Sequence, residues 1–253
     1  MKRREFSLSL LVGSGAIAGL LAGCKQTTTT GPAPAGSSTA GAEAVPAPGA
    51  ISSANAAPAQ PAATGSFVAG QDYMVLKSPL PTEVPKGKAE VVEFFGYWCP
   101  HCNHFEPEFE AWRKSAPAEL VVNLVPVAFR PEMVPLQRMY YALVASGKLA
   151  QMHGKVFDAV HKERQQLFSD GAVLAWAAKQ PELQGTNFAE AYKSFAMDAN
   201  LRRANQLVQD YGVEGVPSFG VAGKYYIDGE HAQGMTRALQ IVTQLGKQEA
   251  GHA

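Results

Sequence analysis

The sequence Cys99-Pro100-His101-Cys102 sets two thiols three positions apart. The run from Val91 to Trp98 before it is β-branched and aromatic and reads as a buried strand, while Pro100 suits the first turn of a helix, where an absent N–H costs nothing. Cys99 is therefore expected at a helix N-terminus. Unpaired backbone N–H groups and the positive end of the helix dipole favour a thiolate there, and His101, when protonated, acts in the same direction. Each pKa unit of thiolate stabilisation is worth about 1.4 kcal/mol, and stabilising the dithiol makes the corresponding disulfide a stronger oxidant. A structural zinc site would need a second ligand pair downstream, and the remaining member of the 3 cysteines is Cys24. A c-type haem would need His directly after the second thiol, where Asn103 stands. Redox exchange with neither metal nor organic cofactor is the expectation. His104 reads as a surface or groove residue, and His153 and His161 have no ligand spacing with anything nearby.

Elements able to position these thiols are legible on both sides of them. Tyr73 to Leu76, Val91 to Trp98 and Leu120 to Val127 are predicted strands. A helix from Pro100 to about Ser115 lies between the last two, which should make that pair parallel with a crossover. From Val134 to Gln209 the periodicity is helical, with breaks near Ser146-Gly147, Phe168 to Gly171, and Gly185 to Asn187, predicting an insertion of four or five helices. Ser218 to Val221 and Lys224 to Ile227 then predict two short strands, and Thr236 to about Ala250 a closing helix.

Composition bounds the class. The chain has 253 residues, 46% of them hydrophobic, enough for a full core, but its first quarter is crowded with Ala, Gly, Pro, Ser and Thr. A net charge of +0 with 17% charged residues leaves no electrostatic footprint for nucleic acid. Lys2, Arg3 and Arg4, an apolar stretch from Phe6 to Leu21, and Leu21-Ala22-Gly23-Cys24 resemble a bacterial lipoprotein signal peptide, cleaved after residue 23 with a lipid on Cys24. Arg3-Arg4 also looks like a twin-arginine export signal. Residues 24–66 lack the large apolar side chains that would offset the entropy of folding and read as a Pro/Ala-rich tether, so one folded domain over 67–252 is expected, with its helical insertion at about 132–211.

Taken together, Trp98-Cys99-Pro100-His101-Cys102, Glu93 six residues before Cys99, and Gly212-Val213-Glu214-Gly215-Val216-Pro217 before the last strands resemble the DsbA family of thiol–disulfide oxidoreductases. The resemblance implies an α/β, thioredoxin-like fold with a helical domain inserted between the third strand and a cis-proline loop. It further implies a peptide groove beside the thiols and re-oxidation by a membrane quinone-linked, DsbB-like partner. Pro217 would be the cis-proline facing the sulfurs, with Val216 presenting backbone groups to an extended substrate and Trp98 beside it; read without the resemblance, Pro217 marks a strand edge or a turn. The absence of a folded N-terminal dimerisation domain and the long helical insertion favour a dithiol oxidase over a reductase or isomerase of the same fold.

Glu93 lies between Val92 and Phe94 in a run that otherwise reads as buried. Two readings stand: a strand-end carboxylate reaching solvent or a lysine, and a desolvated acid that exchanges protons with Cys102. In the expected mechanism a thiolate of a reduced, exported protein attacks Cys99, taken as the exposed sulfur, and Cys102 leaves. The protein is expected to be a monomer, periplasmic and lipid-anchored, with Lys25 after Cys24 leaning toward the outer membrane.

Overall fold

The computed structural model describes residues 66–252. The expected signal peptide, Cys24 and the tether up to residue 65 lie outside the described residues. Five strands form one sheet: β1 (Met74–Val75), β2 (Ala89–Phe95), β3 (Leu120–Pro126), β4 (Ser218–Val221) and β5 (Tyr225–Asp228), in spatial order β1-β5-β4-β2-β3. The β2–β3 pair is parallel, with Ala89 opposite Leu120 and Phe95 opposite Pro126, and helix α1 (Pro100–Ser115) is its crossover, as the strand–helix–strand pattern predicts. The other pairs are antiparallel. The second strand ends at Phe95, three residues earlier than the sequence suggests, because Gly96 to Cys99 turn toward the helix.

The period of two along β2 sends Val91 to one face of the sheet and Val92 and Phe94 to the other. The first face packs on Phe105 and Phe109 of α1 and on Leu239, Ile241 and Val242 of α7 (Met235–His252). Phe109 and Phe219, both fully buried, anchor this layer, and truncating either to Ala would cost roughly 3–5 kcal/mol. The second face packs on Ala204, Leu207 and Tyr211 of α6 and its C-terminal cap.

Between β3 and β4 stand α2 (Val134–Ala145), α3 (Leu149–His161), α4 (Asp170–Ala177), α5 (Phe188–Lys193) and α6 (Phe195–Asp210). This matches the expected insertion, with one break the periodicity does not reveal, at Ser194, whose extended backbone separates α5 from α6. The insertion has its own core, built on Leu136, Met139, Leu143, Met152, Val156 and Phe157, and that core runs without a gap into Phe95, Tyr97, Cys99 and Cys102. The thiols thus sit on the seam between the sheet and the inserted helices. Among the described residues no helix is long and apolar enough to cross a membrane.

Candidate active site

Cys99 is the N-cap of α1, with extended backbone (φ −87°, ψ 120°) and Pro100 in the first helical turn. Its sulfur accepts the backbone N–H of Cys102 at 3.5 Å, and its own N–H donates to the Gly96 carbonyl at 2.9 Å, closing the turn out of β2. The thiol is lowered from 9.0 to about 6, first by the hydrogen bond from the Cys102 side chain, against the cost of burial, then by the backbone N–H groups of Cys102 and His101, and last by the His101 charge. The helix terminus outweighs the histidine. Cys102, one turn into the helix, goes the other way: burial, then its hydrogen bond to Cys99 and the charge there, push its thiol far up. The two sulfurs, both unbonded thiols in this structure, are therefore inequivalent, one poised to ionise and one held neutral.

Neither cysteine is exposed. Cys99 is 4% accessible and Cys102 1%, which corrects the expectation of an exposed Cys99. The cover comes from the loop before β4. Ser218 pairs with Phe94, so in an antiparallel strand the residues preceding it must lie beyond the C-terminal end of β2, where the Gly96–Cys99 turn is. The Cys99 thiol donates to the Val216 carbonyl at 3.3 Å, and the Val216–Pro217 peptide bond is cis. His101, Val216 and Pro217 border a groove of 1380 Å³ that continues past Tyr226 to Met74 at the sheet edge and to His231.

Trp98 is partly buried against the core that holds both thiols. Its indole N–H donates to the Val127 carbonyl at 2.9 Å, and its ring meets Phe129, itself 41% exposed, edge-on at 5.8 Å. The indole lies directly over Gly96, where an added Cβ would stand 2.5 Å from Nε1; this residue is glycine because nothing larger fits beneath the ring.

Glu93 is 1% exposed, and its Oε2 has no hydrogen-bond partner among the described residues. Burial, and next the nearby Glu106 charge, push its carboxyl well above the usual range, opposed by Arg113. It is close enough to Cys102 that its charge raises that thiol further. The reading in which Glu93 reaches solvent or a lysine is therefore not what the structure has. His104 is exposed, as expected.

Sequence reasoning missed three polar neighbours. His153 Nδ1 lies 2.7 Å from the Tyr97 hydroxyl and its Nε2 3.4 Å from Glu106 Oε1, while His161 Nε2 donates to the Tyr97 carbonyl at 2.8 Å. Phe157, one turn from each histidine on α3, packs its ring on Tyr97 at 5.0 Å. Tyr97, two residues before Cys99, is thus gripped by three successive turns of the inserted helix. Spacing within α3 carries no hint of this, because the partner is 56 residues away.

A profile of the DSBA-like thioredoxin domain family matches residues 90–240. The thiol:disulfide interchange protein DsbA of Bordetella parapertussis is 40% identical over 176 residues, 69% of this chain and 83% of the relative. The protein of the same name from Pseudomonas aeruginosa is 34% identical over 187 residues, 74% of this chain and 88% of the relative. Among solved structures, the Pseudomonas aeruginosa DsbA crystal structure superposes with a TM-score of 0.67 at 33% identity, covering 74% of this chain and 96% of the other. The oxidoreductase NmDsbA3 from Neisseria meningitidis gives 0.64 at 31% identity, over 74% and 98%. The chain belongs to the DsbA family, has its thioredoxin-like fold, and is a disulfide-donating thiol:disulfide oxidoreductase.

Proposed function

We propose that Cys99 is the sulfur that exchanges with substrate and Cys102 the one that leaves and returns. A substrate thiolate attacks Cys99 in the disulfide, the S–S bond breaks, and Cys102 departs with the electron pair and takes a proton from Glu93. A second substrate thiolate then attacks the substrate sulfur of the mixed disulfide, forming the substrate's own disulfide and expelling Cys99 as a thiolate, a good leaving group because its pKa is low. The substrate loses two electrons and the Cys99–Cys102 pair gains them. Pro100 and His101 tune Cys99 through the helix start. Val216 and Pro217 offer an extended substrate a carbonyl and a surface without an N–H, and Trp98, directly before Cys99, offers a partly buried ring. The observation that carries this reading is the unequal setting of the two thiols: Cys99 at the N-cap accepts hydrogen bonds from Cys102 and the helix start, while burial holds Cys102 neutral.

The substrates are reduced, exported proteins, and a membrane quinone-linked partner of the DsbB kind re-oxidises the pair. The protein works as a monomer in the periplasm, held by a lipid on Cys24 through the tether of residues 24–66, on the outer membrane by the lean of Lys25, after removal of residues 1–23. Its folded part spans 67–252 with the insertion at about 132–211.

The test of the exchange reading is the rate at which the oxidised protein transfers its disulfide to a reduced unfolded protein. Cys99→Ser should abolish transfer, and oxidation that survives this change would overturn the assignment. For the anchor, fatty-acid labelling of the wild-type protein, lost in Cys24→Ser together with membrane association, is the expected result; an unlabelled wild-type protein contradicts it.

A further inference from the structure

We infer that Asp72 and Arg237 are positioning residues for the substrate: their ion pair fastens together two walls of the groove, the β1 segment and the start of α7. The inference rests on the reading of that groove as the seat of an extended substrate.

β1 is three strands from β2, about 14 Å across the sheet, and Cys99 lies just beyond the end of β2. A substrate segment that reaches from the sulfur to β1 therefore needs about four extended residues. The groove is bordered by Met74 to Ser78, which run along and past β1, and also by Gly234 and Met235, at the start of α7. The sheet itself holds the first of these walls weakly. β1 has two residues, paired with Tyr226 and Tyr225, and Met74 and Val75 are 41% and 53% exposed, so little buried apolar surface secures them. Past β1, the N–H groups of Leu76 and Leu80 donate to the Lys224 and Gly223 carbonyls, both at 2.8 Å.

Before β1 the polar fastening is Asp72. It stands two residues ahead of Met74 and is 3% exposed, and its Oδ2 accepts the Val68 N–H at 2.7 Å, closing the turn that leads into the strand. Its Oδ1 lies 2.8 Å from Nη1 of Arg237, two residues past Met235. Oδ1 has no hydrogen-bond partner among the described residues, so this link is one of opposite charges in contact and not of a directed bond. A carboxylate so buried is costly without its counter-charge, which ties the turn before β1 to the first turn of α7. Arg237 is held from two further sides: Nη1 donates to the Ala232 carbonyl at 3.2 Å, and the guanidinium lies over the Phe67 ring, 5.1 Å from its centre. Without the pair, a substrate has to order the β1 wall as it binds. That cost falls on binding and not on exchange at the sulfurs, because neither residue borders the groove or the thiols.

The experiment is disulfide transfer from the pre-oxidised full chain to two substrates: a dithiol peptide with about five residues on each side of its cysteines, and dithiothreitol, which is too short to reach β1. In each case the two substrate thiols become a disulfide and the Cys99–Cys102 disulfide becomes two thiols. Asp72→Asn and Arg237→Met should each raise the half-saturating peptide concentration about three- to ten-fold, with the limiting rate and the dithiothreitol rate unchanged. The double variant should go no further, and Arg237→Lys should stay close to wild type. A half-saturating concentration unmoved in both single variants, shifts that add in the double variant, or equal slowing toward dithiothreitol would overturn the clamp. A wild-type rate that does not saturate with the peptide would overturn the groove reading, and this inference with it. Should the variants fold poorly, amide exchange in the wild-type protein decides. A peptide with serines in place of its cysteines is expected to slow exchange at Val68 and Leu76 together, since a clamp that aids binding is itself stabilised by binding. Slowing confined to Leu76, or none, contradicts the clamp.

Discussion

The Cys99 sulfur lies 3.3 Å from the backbone oxygen of Val216, a residue 117 positions further along the chain. As a thiol it has a proton to donate to that carbonyl; as a thiolate it loses that bond and keeps the N–H of Cys102 at 3.5 Å. The thiolate also accepts from the Cys102 side chain, and that bond, with the N–H groups of the helix start behind it, favours the ionised form.

The first consequence is thermodynamic. The folded-state pKa of Cys99 is depressed from 9.0 to about 6, so its contribution to stability is fully present above the unfolded value and lost as pH falls through the folded one. This favours the folded dithiol by ~1.4 kcal/mol at pH 7, rising to ~4 kcal/mol at pH 9 and fading below pH ~5. Urea unfolding of the reduced protein across this range should show a Cys99 contribution that grows from pH 5 to 9, read as the difference between wild type and Cys99→Ser. A difference that stays flat would count against the low pKa.

The His101 charge is the smallest of the influences that lower Cys99. Replacing His101 with Ser should raise the thiolate midpoint by less than about one unit, leaving it well below that of a free thiol. Thiolate absorbance against pH reads this directly. A midpoint restored to the free-thiol value would mean that the histidine, and not the helix start, governs the site.

Glu93 has the opposite sign. A carboxyl whose folded pKa is raised stabilises the fold only while protonated, so stability is lost as pH rises from the unfolded value of 4.5 toward the folded one. Glu93→Gln should be more stable than wild type at pH 7 and similar to it near pH 4, while transferring disulfides more slowly. Denaturant unfolding at both pH values and a transfer assay test the pair of effects. A destabilised Gln variant at pH 7 would show that the carboxylate is paired after all.

Gly96 tests the packing of Trp98. A Cβ there would stand 2.5 Å from the indole nitrogen, so Gly96→Ala must displace the ring and break its bond to Val127. The expected cost is roughly 1–3 kcal/mol, with altered tryptophan emission. Unchanged stability would mean the indole moves freely.

Much of this site was legible because its parts are local. The apolar run into Cys99, the proline at the first helical turn and the spacing to Cys102 lie within a dozen residues, and local geometry follows from residue type there. The parallel crossover and the helical insertion follow from element order. What was not legible depends on contacts that close the sheet or bring the insertion onto it. Burial of Cys99 arises from Val216, whose place is set by the pairing of Ser218 with Phe94. The grip of His153 and His161 on Tyr97 arises from how α3 packs on the turn, which no periodicity within the helix encodes. Glu93 could be flagged as anomalous by sequence, but the loss of any partner required the fold.

The central claim is that the fold stabilises the dithiol through Cys99 and so makes its disulfide a strong oxidant. Equilibration of the purified protein with glutathione buffers of known ratio measures this in one titration. The Cys99–Cys102 couple should be found reduced in buffers poised well above the cytosolic range of about −220 to −260 mV, and it should move toward more reducing values when the Cys99 thiolate is destabilised. A couple that stays a disulfide in buffers poised below that range would be a structural bond, and would contradict the account.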